Sequence, residues 1–72
     1  MLAVITHVAG GKTIVGPTDH VFHASWTVFR ASLLKSSFTI QEPFGRFQPV
    51  EAHKQQISDE VIAVTVECVP LS

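Results

Sequence analysis

Apolar and polar residues alternate most cleanly near the C-terminal end of the chain. In residues 60–69 (EVIAVTVECV), Ile62, Val64, Val66 and Cys68 fall on one side and Val61, Ala63, Thr65 and Glu67 on the other. A period of two puts successive side chains on opposite faces of a strand. The wholly apolar side predicts burial in a core. Glu67 marks the outer side, although Val61 and Ala63 leave that side partly apolar. Pro70 predicts the end of the strand, because it has no N–H for the ladder.

Residues 2–9 (LAVITHVA) are rich in β-branched side chains and predict a second strand. Gly10-Gly11 follows, then KTIV at 12–15, then Gly16-Pro17. Two β-type runs joined by two residues that tolerate positive φ predict a hairpin with a tight primed turn.

Residues 20–37 (HVFHASWTVFRASLLKSS) support two periods. As a helix, Phe22, Trp26, Phe29 and Leu33 form one stripe, and His20, His23, Thr27 and Arg30 form a polar face. As a strand, Phe22, Ala24, Trp26 and Val28 alternate with His23, Ser25 and Thr27. Thr18 or Asp19 offers an N-cap after Pro17, and the length suits a helix, so a helix is the preferred reading. Residues 37–41 (SFTIQ) predict a strand, Glu42 to Gly45 a turn, and Arg46 to Gln48 a returning strand. Pro49 suits the first position of a short helix, VEAHKQQI, closed by Ser58-Asp59.

These elements predict an α+β fold: a small antiparallel sheet with one longer and one short helix on one face. A split β-α-β topology is one arrangement that fits. If residues 20–30 were a strand, a small all-β barrel or sandwich would follow instead. The whole chain, 1–72, reads as a single domain without repeats, low-complexity tracts or linkers.

Composition sharpens the picture. Apolar residues make up 46% and charged residues only 15%, against about 25% charged in average soluble domains. A domain this small has proportionally more surface, so it should need more charge, not less. The expectation is that another molecule covers part of it. Cys68 is the only cysteine, so no disulfide staples the chain, and it reads as a small buried apolar residue.

The formal net charge is −1, too weak to attract nucleic acid or an anionic membrane. Lys12, Arg30 and Lys35 face only Asp19 in the first 41 residues. Arg46 and Lys54 face Glu42, Glu51, Asp59, Glu60 and Glu67 in the rest. The apolar N-terminal run lacks a basic leader and is broken by Thr6 and His7, so it does not read as a signal peptide. No stretch approaches the ~20 apolar residues that span a bilayer. The expected location is the cytoplasm, or a particle assembled there such as a virion.

Candidate chemistry is sparse. Gly10-Gly11-Lys12-Thr13 resembles the tail of a phosphate-binding loop, but Thr6 stands where the first glycine belongs and no helix start follows. His20 and His23 would share a helix face beside Asp19, yet that is only half of a zinc ligand set. No nucleophile elbow is present, and Cys68 sits on the apolar side of a strand, where a thiolate is disfavoured. Glu42, Glu51, Asp59 and Glu60 read as solvated surface acids. No catalytic residue, cofactor or metal is therefore expected.

Phe44, Arg46 and Phe47 surround Gly45 in the predicted turn. Aromatic and arginine side chains are enriched at interface hot spots, so these three are the candidate partner-binding residues. The expected function is that of a non-catalytic structural or interaction subunit of a protein assembly, either a homo-oligomer or a minor component of a particle such as a viral capsid or tail. A monomeric inhibitor or adaptor with one protein partner is the first alternative. A small oligomeric enzyme or metal-binding protein using His20 and His23 is the second.

Overall fold

In the computed structural model, which describes residues 1–16, 19–23, 25–35, 38–40 (backbone only) and 45–71, the chain folds as one mixed sheet with one helix among the described residues. The elements are β1 (Leu2–Ala9), β2 (Lys12–Ile14), β3 (Asp19–Val21), α1 (Trp26–Lys35), β4 (Phe38–Ile40), β5 (Gly45–Gln56) and β6 (Val61–Pro70). Five strands run in the order β2-β1-β6-β5-β4, and β3 pairs with β1 off that path.

The first hairpin forms as its glycines predict. Gly10 and Gly11 have φ of 59° and 77°, and His7, Val8 and Ala9 pair with Ile14, Thr13 and Lys12. The same edge of β1 continues with β3, where Leu2, Ala3 and Val4 pair with Val21, His20 and Asp19. On its other side β1 runs parallel to β6, in register from Leu2↔Val61 to Val8↔Glu67. The β5–β6 hairpin is antiparallel. The sheet is therefore mixed, and the expected purely antiparallel arrangement is corrected at its centre.

The predicted short helix at 50–57 is also corrected: residues 50–56 belong to β5, a 12-residue strand, and Ile57 follows its end. The register shifts between Pro49 and Glu51, so Val50 is the extra residue of a bulge. The bulge resets the alternation, and Phe47, Pro49 and Ala52 are the buried positions. Their spacing of two and then three imitates a helical period. A bulge is also one of the few places where a strand accepts proline.

The longer helix expected within residues 20–37 is corrected to one short helix of 10 residues, Trp26–Lys35, which starts well after the cap offered by Thr18 or Asp19. Asp19–Val21 is claimed by the ladder to β1. The helix begins at Trp26, with Ser25 as its cap: Val28 N–H donates to Ser25 Oγ at 3.4 Å, and Phe29 N–H donates to the Ser25 carbonyl at 3.0 Å. This satisfies amide donors that would otherwise be orphaned in the first turn. Residues 20–30 thus divide between strand and helix, and the barrel or sandwich alternative is replaced by an open sheet with a helix on it.

The core lies between the sheet and α1. Ala3, Ile5, Ile14, Phe47, Ala52, Ile62, Val64, Val66 and Cys68 are buried, with Phe22, Trp26, Phe29, Leu33 and Leu34 packed against them. The inward set predicted for β6 is buried in full. Helix α1 runs antiparallel to β5, and three contacts step along the pair. Lys54 Nζ lies 5.5 Å from the Trp26 ring centroid, Arg30 Nε donates to Glu51 Oε1 at 2.8 Å, and Gln48 Nε2 donates to the Leu34 carbonyl at 3.1 Å. Phe29 joins Phe22 and Trp26 with ring centroids 4.6 and 6.1 Å away.

Candidate interaction surface

The face of the sheet opposite α1 is built by the same alternation that makes the core. Because Ala3, Ile5 and His7 of β1 point inward, Leu2, Val4, Thr6 and Val8 point outward. Because Ile62, Val64, Val66 and Cys68 of β6 point inward, Val61, Ala63, Thr65, Glu67 and Val69 point outward. Paired residues on neighbouring strands share a face, so the parallel register sets Leu2 beside Val61 and Val4 beside Ala63. The β3 pairing adds Val21 beside Leu2.

One end of this outer face is therefore an apolar field of Leu2, Val4, Val21, Val61 and Ala63. Leu2, Val4 and Val21 are 39%, 37% and 64% exposed. Leu2, Val21 and Val61 line a shallow depression together with Met1 and Glu60. The other end is polar: Thr6 pairs with Thr65 and Thr65 with His53, and Glu67 follows Thr65 on the same side of β6. His53 Nε2 lies 3.7 Å from Glu67 Oε2.

The residues singled out from the sequence distribute differently. Arg46 is exposed at the start of β5, whereas Phe47 is buried at 3% exposure and belongs to the core. Phe44 lies outside the described residues. The structure therefore presents Arg46 to solvent and withdraws Phe47 from it. His20 lies on β3 and His23 precedes α1, both exposed, so they do not share the helix face on which the metal-pair reading depended. Among the described residues no group of three or more His, Cys, Asp or Glu side chains is gathered to hold a metal ion.

Gly10-Gly11 is a hairpin turn and Lys12-Thr13 opens strand β2, so no helix N-terminus follows for a phosphate. Cys68 is buried, its thiol donates toward the Val66 carbonyl at 3.6 Å, and burial pushes its pKa up. That environment disfavours the thiolate a nucleophile would need. His7 is buried on the inner side beneath Gly16, and burial, then the nearby His20, lowers its pKa. Glu51 is held below the usual carboxylate range, first by the Ala52 N–H and then by the Arg30 side chain. Among the described residues no helix is long and apolar enough to cross a membrane.

The outer field was partly visible in the sequence, since Val61 and Ala63 already marked the wrong side of β6 as apolar. Its extension over Leu2, Val4 and Val21 was not, because it depends on which strands lie beside β6. No family model matches this chain, and neither a curated protein nor a solved structure matches it.

Proposed function

We propose that the protein is a non-catalytic structural or interaction subunit whose outer sheet face is covered by protein in its working state. The observation that carries this reading is the apolar field of Leu2, Val4, Val21, Val61 and Ala63 on the side of the sheet opposite α1. The inner face already has its layer, the helix. The outer field has none among the described residues, in a chain only 15% charged. Contiguous exposed apolar surface of this kind marks interaction sites more than solvated ones.

The test places a charge in the middle of the field. Val4→Lys is compared with the wild type for solution mass by light scattering and for binding of an apolar fluorescent dye, with circular dichroism as the check on folding. A working interface loses association or dye binding while the fold remains. If both proteins match in mass and neither takes up dye, the reading fails.

A further inference from the structure

We propose that the Arg30–Glu51 pair is a strap that closes the open edge of β5 and keeps that edge from accepting an extended strand of a second copy of this chain. The strap stands apart from whatever covers the outer sheet face.

Register locates the edge. On one side of β5, β6 pairs along most of its length, from Phe47↔Pro70 to Gln56↔Ile62. On the other side, β4 pairs only with Gly45, Arg46 and Phe47. From Gln48 to Gln56, no strand among the described residues lies on that second side. Backbone N–H and C=O groups of alternate residues turn to alternate sides of an antiparallel strand. An unpaired edge of this length is a template for strand addition.

The chain meets this edge with its own side chains. Gln48 Nε2 donates to the Pro49 carbonyl at 3.3 Å. The Ala52 N–H donates to Glu51 Oε1 at 2.9 Å, and Arg30 Nε donates to the same oxygen at 2.8 Å. Arg30 Nη2 bonds that oxygen as well. Paired strands lie only about 4.8 Å apart, which leaves no room for a carboxylate between β5 and β6. Ala52 therefore turns its N–H to the open side, and alternation turns Lys54 the same way. The carboxylate oxygen sits where the carbonyl of an added strand would dock, and its charge repels that carbonyl.

The closures on this edge differ in kind. Pro49 has no N–H, and the register shift at Val50 bends the strand. Both are fixed by the sequence. The Glu51 carboxylate is instead held by a side chain of another element, α1, so it can be released. The Arg30 and Glu51 side chains are 37% and 38% exposed, and an ion pair so exposed adds little to stability. Its place in the fold is to occupy the Ala52 N–H rather than to bolt helix to sheet.

The experiment removes the strap with Glu51→Thr, which suits a strand, and loosens it with Arg30→Ala, which leaves the carboxylate untethered. Each is made in the wild type and in Val4→Lys, so that association through the outer face is told apart from association through the edge. Light scattering of the full chain over a dilution series reads the mass. Amide hydrogen exchange by NMR reads Ala52 and Lys54, and circular dichroism checks folding. In dilute solution the Ala52 amide of Glu51→Thr should exchange ~10-fold or more faster than in its parent, as expected for losing a hydrogen bond to a charged group. At high concentration its mass should rise above its parent's in both backgrounds, with 7.9 kDa as the mass of one chain. The Ala52 and Lys54 amides should then become protected as a new ladder forms. Arg30→Ala should show the same changes to a smaller extent. If Glu51→Thr loses its folded spectrum, Glu51→Gln takes its place with the same expected direction.

A strap variant whose mass equals its parent's at every concentration overturns the inference, since the edge is then closed without the strap. So does added mass without protection of Ala52 and Lys54, which puts the contact elsewhere. An Ala52 amide that exchanges at the parent's rate in dilute solution also overturns it, because the carboxylate is then not what holds that amide.

Discussion

Gly16 lies directly against the imidazole of His7: a Cβ built on Gly16 would stand 2.9 Å from His7 Nδ1 and 3.1 Å from Cε1. The ring is buried at 5% exposure between Ile14 and Val66, its register partners on either side. It has little room to withdraw. The glycine is what lets the chain cross the histidine between β2 and β3.

Gly16→Ala is therefore expected to destabilise the protein by ~1–3 kcal/mol, the usual range for overpacking a filled site. Denaturant unfolding of the variant checks this. Combining it with His7→Ala should recover part of the loss through the space vacated by the ring. If Gly16→Ala unfolds at the wild-type midpoint, the close approach is not a constraint.

Burial of His7 has a consequence for pH. Its folded pKa lies below the ordinary value of 6.5, chiefly through desolvation and secondarily through His20. In the window below 6.5 the unfolded chain binds the proton more readily than the folded one, so stability rises with pH there. The favourable contribution is complete above 6.5 and is lost as pH falls toward the folded pKa. Urea midpoints measured from pH 7.5 to 5 should fall on acidification, and His7→Gln should flatten that slope. Equal slopes in the two proteins would count against it.

Glu51 acts in a separate and lower window. The Ala52 N–H and then the Arg30 side chain depress its pKa below 4.5. Its contribution is present above that value and disappears as the pH drops through the folded pKa. Glu51→Gln should leave the slope near pH 6 unchanged and reduce the acid sensitivity below pH 4.5. Because the pair is exposed, the effect should be small and weaker in salt.

Ser25 caps α1 through a long bond to Val28, 3.4 Å from N to Oγ. Ser25→Ala should cost ~0.5–1 kcal/mol, the low end for a cap, and Ser25→Asp should retain most of the stability. Thermal unfolding followed by circular dichroism reads both. A neutral Ser25→Ala would mean that solvent serves those amides equally well.

Cys68 should resist alkylation in the native state and react on unfolding, since it is 6% exposed and its thiol pKa is raised. Mass spectrometry after a timed iodoacetamide pulse, with and without denaturant, distinguishes the two states. Rapid native labelling would place the thiol on the surface.

The elements that local chemistry specifies were legible in the chain. Gly10-Gly11 marked the hairpin turn because both residues adopt positive φ, and the alternation of residues 60–69 named the buried face of β6 before any partner was known. The stripe of Trp26, Phe29 and Leu33 marked the helix face that packs on the core. The start of that helix was placed too early because Thr18 or Asp19 offered a cap, whereas pairing with β1 holds Asp19–Val21 in the sheet and Ser25 caps the helix instead. In β5, the Val50 bulge inserted a spacing of three into a period of two, so a strand carried the signature of a short helix.

By itself the sequence determined which residues cannot remain in water and where the chain must turn, because both follow from side-chain transfer and from φ preferences within a few residues. Tertiary structure alone decided that β6 enters the sheet parallel to β1, with Leu2 beside Val61 although most of the chain separates them. That pairing is a choice among many compatible strand neighbours, made by the combined burial of Ala3, Ile5, Ile62, Val64 and Val66 under one helix. The same choice gathers Leu2, Val4, Val61 and Ala63 into a single apolar surface on the opposite face. No local pattern encodes that surface, because it exists only once strands from the two ends of the chain lie side by side.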